Sequence, residues 1–202
     1  MIFVVCFYIR NIISVSDKCA TGELILSERT SINDNEYEGC SGFTGSLKLP
    51  NTLITIGQYA FYSCSGFSGD LIIPNSVTTI GSHAFEGCIG FNGQLVLPDT
   101  LSQIGDFAFY SCNNLAGVLN IPSNLESIGQ NAFVNTNFDL VTYYGTSLQC
   151  DITVFDKEPK CEVSEEFHNQ TLCGLTITSR KENSPKGSPL SVGLIVVIVL
   201  GS

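Results

Sequence analysis

The sequence predicts an α/β repeat solenoid, short strands joined by short helical or 3₁₀ turns, and three observations predict it. Cys40, Cys64, Cys88 and Cys112 recur every 24 residues, and nearly every apolar position around them keeps the same register. Within each unit a brief apolar alternation is closed by a proline, which removes the next backbone donor and ends a strand. A small-large pair, Ala-Phe, then stands at a fixed distance before the cysteine, at spacings that suit one helical or 3₁₀ turn. A composition of 44% hydrophobic and 14% charged residues is too apolar for a disordered chain.

The elements follow in chain order. Residues 17–40 read as a degenerate first repeat or N-terminal cap: "GELILSERTSINDNEYEGC" keeps Leu24 and Leu26 in the strand positions, Ile32 for the isoleucine and Tyr37 for the phenylalanine. Terminal units degrade in this way because one face lacks a neighbour. Residues 41–136 hold four 24-residue units, "SGFTGSLKLPNTLITIGQYAFYSC", "SGFSGDLIIPNSVTTIGSHAFEGC", "IGFNGQLVLPDTLSQIGDFAFYSC" and "NNLAGVLNIPSNLESIGQNAFVNT". In the second of these, Leu71 and Ile73 flank the outward Ile72 on a strand that Pro74 stops. Asn75 opens a turn, Val77 and Ile80 point inward, and Gly81 permits a tight bend. Ala84, Phe85 and Cys88 then face the same core from the helical turn, and Phe67 and Gly69 lead in the strand. A unit of this size cannot bury its apolar face alone. Like must therefore stack on like, Leu47 on Leu71, Leu95 and Leu119, and Phe61 on Phe85, Phe109 and Phe133.

The pattern L-x-[LI]-P-x-x-[LV]-x-x-I-G-x-x-A-F-x-x-C resembles the BspA-like class of leucine-rich repeats, over about Gly22 to Thr136. The "GF-x-G" insertion before the strand is similar to the versions found in protists. The resemblance implies a curved right-handed solenoid of the surface-antigen and adhesin type. It also implies a binding scaffold rather than an enzyme. It names no ligand residues, because the shared positions are core positions.

Downstream, residues 137–179 lose the register but keep strand-like alternation, and are expected to form a C-terminal cap; residues 180–189 read as a polar linker. The apolar run from Leu190 to Leu200 is shorter than the ~20 residues of a membrane span. The expectation for 190–202 is thus a truncated single-pass segment or, alternatively, a processed lipid-anchor signal. At the other end, "IFVVCFYI" and the small residues of "SVS" fit a signal peptide over 1–16, with a buried cap strand as the competing reading. The single sequon, "NQT" at Asn169, is a candidate glycosylation site.

Several chemistries are disfavoured. Nineteen acidic against nine basic residues, a formal charge of -10, oppose contact with nucleic acid. Stacked thiols lie along a line rather than at tetrahedral corners, so the cysteine column is no metal site. Parallel side chains also hold the repeat sulfurs apart, which favours buried free thiols at Cys64, Cys88 and Cys112. Cys19 with Cys40, or a pair among Cys150, Cys161 and Cys173, is the better disulfide expectation. His83 and His168 have no nucleophile or carboxylate at a recognisable motif spacing, so neither catalytic residues nor a cofactor is expected. Function then falls to outward variable positions. By alternation the strand face presents Ser46, Lys48, Asp70, Ile72, Gln94, Val96, Val118 and Asn120, whose apolar centre at Ile72 and Val96 suits a partner protein. The expected role is a cell-surface protein that binds a protein ligand on host cells or in extracellular matrix. A structural spacer or antigenic coat, or an intracellular interaction scaffold, is the alternative.

Overall fold

The computed structural model describes Cys19 and residues 21–181. The signal-peptide reading at 1–16, the membrane reading at 190–202 and most of the linker lie outside the described residues. The chain forms a β-solenoid of about six turns with leucine-rich repeats. One wall is a six-stranded parallel ladder made of Ser31–Ile32, Thr55–Ile56, Thr79–Ile80, Gln103–Ile104, Ser127–Ile128 and Gln149–Cys150. Each strand is only two residues long, and in the first five the isoleucine is buried while its polar neighbour faces out. Sequence reasoning treats this stretch as a turn followed by a bend, so the ladder is a finding of the structure. The expected strand position also pairs: Leu71–Ile72 lies parallel to Leu95–Val96. Further along, Ala116–Ile121, Asn137–Tyr143, Lys160–Ser164 and Ser179–Lys181 make a second parallel sheet.

The corner holding Ala-Phe is not helical, and the described residues contain no helix. Its amide groups divide between two destinations. Tyr59, Phe61 and Ser63 donate to the carbonyls of Ser82, Ala84 and Glu86 in the next coil, at 2.9, 2.8 and 2.7 Å. The alternate residues Ala60, Tyr62 and Cys64 donate back to Gly57, Tyr59 and Phe61. An α-helix would send every donor along its own axis; here the backbone is turned outward at left-handed residues, Tyr59 at φ 54° and Ser63 at φ 57°. His83, Phe107, Ser111, Asn131 and Asn135 repeat that conformation in later coils. Each such side chain carries a steric cost of ~1–2 kcal/mol, offset by the hydrogen bonds to the neighbouring coil.

Gly81 also has a different reason from the expected one. Its φ is not positive; instead a Cβ there would lie 2.7 Å from the Gln58 nitrogen and 2.7 Å from the Gly57 carbonyl carbon. Gly57, Gly105 and Gly129 show the same close approach to the preceding coil.

The interior is a set of columns. Tyr37, Phe61, Phe85, Phe109, Phe133 and Phe155 stack ring on ring with centroids 5.3 to 5.5 Å apart. A second column runs Phe43, Phe67, Phe91. The stretch beyond Thr136, expected as a cap, continues these columns with shorter coils. Asn120 and Thr142 face each other across 22 positions rather than 24, and Val141 pairs with Cys161. Arg180 and Lys181, at the start of the expected linker, lie in the last edge strand. Cys19–Cys40 and Cys150–Cys173 are disulfide-bonded, while Cys64, Cys88, Cys112 and Cys161 are buried free thiols.

Candidate interaction surfaces

Every expected strand-face residue but one is exposed; Val118 is partly covered. Ile72 is 55% exposed and its in-register neighbour Val96 is 43% exposed. Ile25, bridged to Lys48 one coil earlier, is 83% exposed. The polar members are more constrained than alternation suggests. Lys48 pairs with Glu23 at 2.7 Å, and Asp70 Oδ1 accepts the Gln94 backbone N–H at 2.7 Å. Asp34 and Asp106 brace Gln58 and Gln130 in the same manner. Asp70 is thus an inter-coil bracket as well as a surface charge. Asn120 Oδ1 accepts from Thr142 Oγ1. Asn169 is exposed on the last coils, its carbonyl accepting from Arg180.

A groove of about 760 Å³ runs over the six-stranded ladder, lined by Ser31, Thr55, Thr79 and Gln103 among others. Its polar lining is short hydroxyls and amides, with Asp34 the sole carboxylate, and Ile32, Ile56 and Ile80 with the corner glycines make up the rest.

Sequence reasoning misses a third surface on the Ala-Phe corner. Tyr59, His83 and Phe107 occupy one position in successive coils, and their rings stack at 4.4 and 4.9 Å with planes 4° apart. Tyr62 and Tyr110 meet this column edge-on at 65° and 63°. Between them Glu86 accepts a hydrogen bond from His83 Nδ1. The signal was present as "YAFY", "HAFE" and "FAFY" at one 24-residue period. His83 stood there as an isolated variable residue rather than as the middle of an aromatic row.

The thiol column is sealed. Cys64, Cys88 and Cys112 each donate at 3.0 Å to a carbonyl of the preceding coil, those of Tyr37, Phe61 and Phe85. Burial pushes Cys64 and Cys112 up to about 12 and Cys88 well above its ordinary value. Thr136 ends the column, its hydroxyl turning to Phe133 at 2.7 Å. His168, exposed in the last coils, bonds the Glu166 carbonyl. Among the described residues no group of three or more His, Cys, Asp or Glu gathers to hold a metal. No helix of the described residues is long and apolar enough to cross a membrane.

Six copies of the BspA type leucine rich repeat region match residues 30–162. The chain belongs to this family. The family match starts within the first coil read from sequence, covers the next four and runs on into the shorter ones. A leucine rich repeat protein of T. pallidum has a similar solved structure, with a TM-score of 0.51 and 28% identity over 56% of this chain and 51% of that one. A leucine rich cell surface protein of Faecalibacterium prausnitzii is similar at TM-score 0.47 and 22% identity, covering 74% of this chain and 42% of that one. For a leucine-rich repeat protein of Bacteroides ovatus the values are 0.45, 22%, 75% and 43%. The chain spans about half the length of these solved proteins or less. No curated protein sequence matches it. BspA-type repeats form solenoids that act as protein-interaction scaffolds, and the columns above show why: the repeated positions are consumed by the core, leaving variable side chains outside.

Proposed function

We propose that the chain is a non-enzymatic cell-surface protein whose strand face, Lys48, Asp70, Ile72, Gln94, Val96 and Asn120, binds a protein ligand on host cells or in extracellular matrix. The observation that carries this reading is the in-register pair Ile72 and Val96, exposed while their strand neighbours Leu71 and Leu95 are packed inside. A partner that covers them gains apolar burial without any cost in refolding the rigid scaffold. Two disulfides suit an oxidising, extracellular setting. Glycosylation at the exposed Asn169 and anchoring through residues 190–202 belong to the same reading.

The test is a binding curve of the folded chain on host cells and on matrix proteins. Saturable binding that falls at least tenfold in the Ile72→Glu, Val96→Glu variant, but not when the exposed Ile152 becomes Glu, supports the strand face. Equal loss in both variants, or no saturable binding, replaces adhesion by a spacer or coat. Protease treatment of intact cells should release residues 41–136; complete protection would favour an intracellular interaction scaffold.

A further inference from the structure

The aromatic corner lies on a different part of each coil from the strand face, and its chemistry is more specific. In successive coils one position holds Tyr62, Glu86 and Tyr110, so a carboxylate stands between two phenol rings. Those rings are two coils apart, about 10 Å at the usual strand spacing. Behind them stands the Tyr59, His83, Phe107 column, in which both faces of the His83 ring are covered by its neighbours. Tyr62 and Tyr110, inclined to that column, are not stacked into it. The His83 Nδ1–H fixes the Glu86 carboxylate, and the Glu86 side chain is 19% exposed.

We propose that Tyr62, Glu86 and Tyr110 form a recognition site for a lysine or arginine side chain carried by a basic segment of a partner polypeptide. An ammonium or guanidinium over the face of either phenol ring would lie within ~6 Å of its centroid, the range of cation–π attraction, with the Glu86 carboxylate alongside. The surroundings select the same sign. The corner segments 34–39, 58–63, 82–87, 106–111 and 130–135 contain Asp34, Glu36, Glu38, Glu86 and Asp106 and no lysine or arginine; of these, Glu36 is paired with Arg29 at 2.7 Å. The whole chain carries -10, so long-range attraction favours a basic partner and repels an acidic one. A neutral sugar would need an open ring face on the column, and the faces of the His83 ring there are occupied by its neighbours.

The experiment titrates the full chain against immobilised deca-arginine, deca-lysine, deca-glutamate and neutral oligosaccharides at about 150 mM salt, near a Debye length of ~8 Å. Deca-arginine and deca-lysine should bind saturably. Glu86→Gln, which keeps a hydrogen-bond acceptor for His83, and the double variant Tyr62→Leu, Tyr110→Leu, which keeps apolar volume, should each weaken binding at least tenfold. Asp139→Asn removes the same charge from an exposed site on another coil and should change binding less than twofold. Circular dichroism and the thermal midpoint establish that each variant is folded. Equal weakening by Glu86→Gln and Asp139→Asn would reduce the effect to bulk charge and overturn the proposal. Preference for an oligosaccharide, or no binding by either basic peptide, would overturn it as well. None of these outcomes bears on Ile72 and Val96, so the strand-face reading stands or falls separately.

Discussion

Gly81 and Gly45 show how one residue type meets two different demands. At Gly81 the neighbouring coil occupies the place of a Cβ, with backbone atoms at 2.7 Å. At Gly45 there is nothing within 4 Å, but φ is +77°. Gly81→Ala must push two coils apart, and is expected to cost about 3 kcal/mol or more, at the upper end for overpacking. Gly45→Ala carries only the left-handed penalty of ~1–2 kcal/mol. Urea unfolding of the two variants measures the difference; a larger loss at Gly45 would mean that conformation, not space, fixes the glycine column. From the sequence the periodic glycine is visible, but its reason is not, because the clash partner is 23 residues away.

Columns are the elements of this protein, and the thiol column makes its burial measurable. An unfolded thiol releases its proton near 9, whereas Cys64 and Cys112 hold theirs to about 12. Between those values the unfolded state binds fewer protons than the folded one, so stability is full below pH 9 and falls as pH rises toward 12. Each thiol contributes a slope of up to about 1.4 kcal/mol per pH unit. Cys112→Ala should flatten the fall by one such step in urea midpoints taken from pH 8 to 10.5; an unchanged slope would mean the thiol is reached by water. The columns were legible because stacking forces the same residue type to recur, as with Phe61, Phe85, Phe109 and Phe133. What was illegible is just as specific. Tyr59, His83 and Phe107 take a left-handed backbone that none of these residue types announces. The two-residue ladder at Thr79–Ile80 is too short for alternation to register. After Thr136 the coils shorten, and a search at 24 residues passes over Phe155, which still stacks on Phe133.

For the molecule as a whole, each coil touches only its neighbours, so stability is a sum of coil and interface terms. The middle coils have two full interfaces and the ends one. Hydrogen exchange should therefore be slowest for the amides of residues 77–109, such as Phe85, which donates to Ala108 in the next coil, and Gly105, which donates to Ile80 in the preceding one, and faster toward residues 21–31 and 171–181. Uniform protection along the chain would indicate a single cooperative block instead.

The direction of those hydrogen bonds has a mechanical consequence. The ladder bonds and every second corner bond run from coil to coil, along the solenoid axis, so a tension applied between the two ends loads one interface at a time rather than all in parallel. The coils would peel in sequence, each yielding roughly 80 Å of extended chain at about 3.4 Å per residue. The disulfides interrupt this at both ends. Cys19–Cys40 spans 21 positions and Cys150–Cys173 spans 23, so each withholds nearly a full coil from extension. Lengthening under load then starts in the unlinked coils between Cys40 and Cys150, and the chain can extend by whole coils while its closed end loops hold.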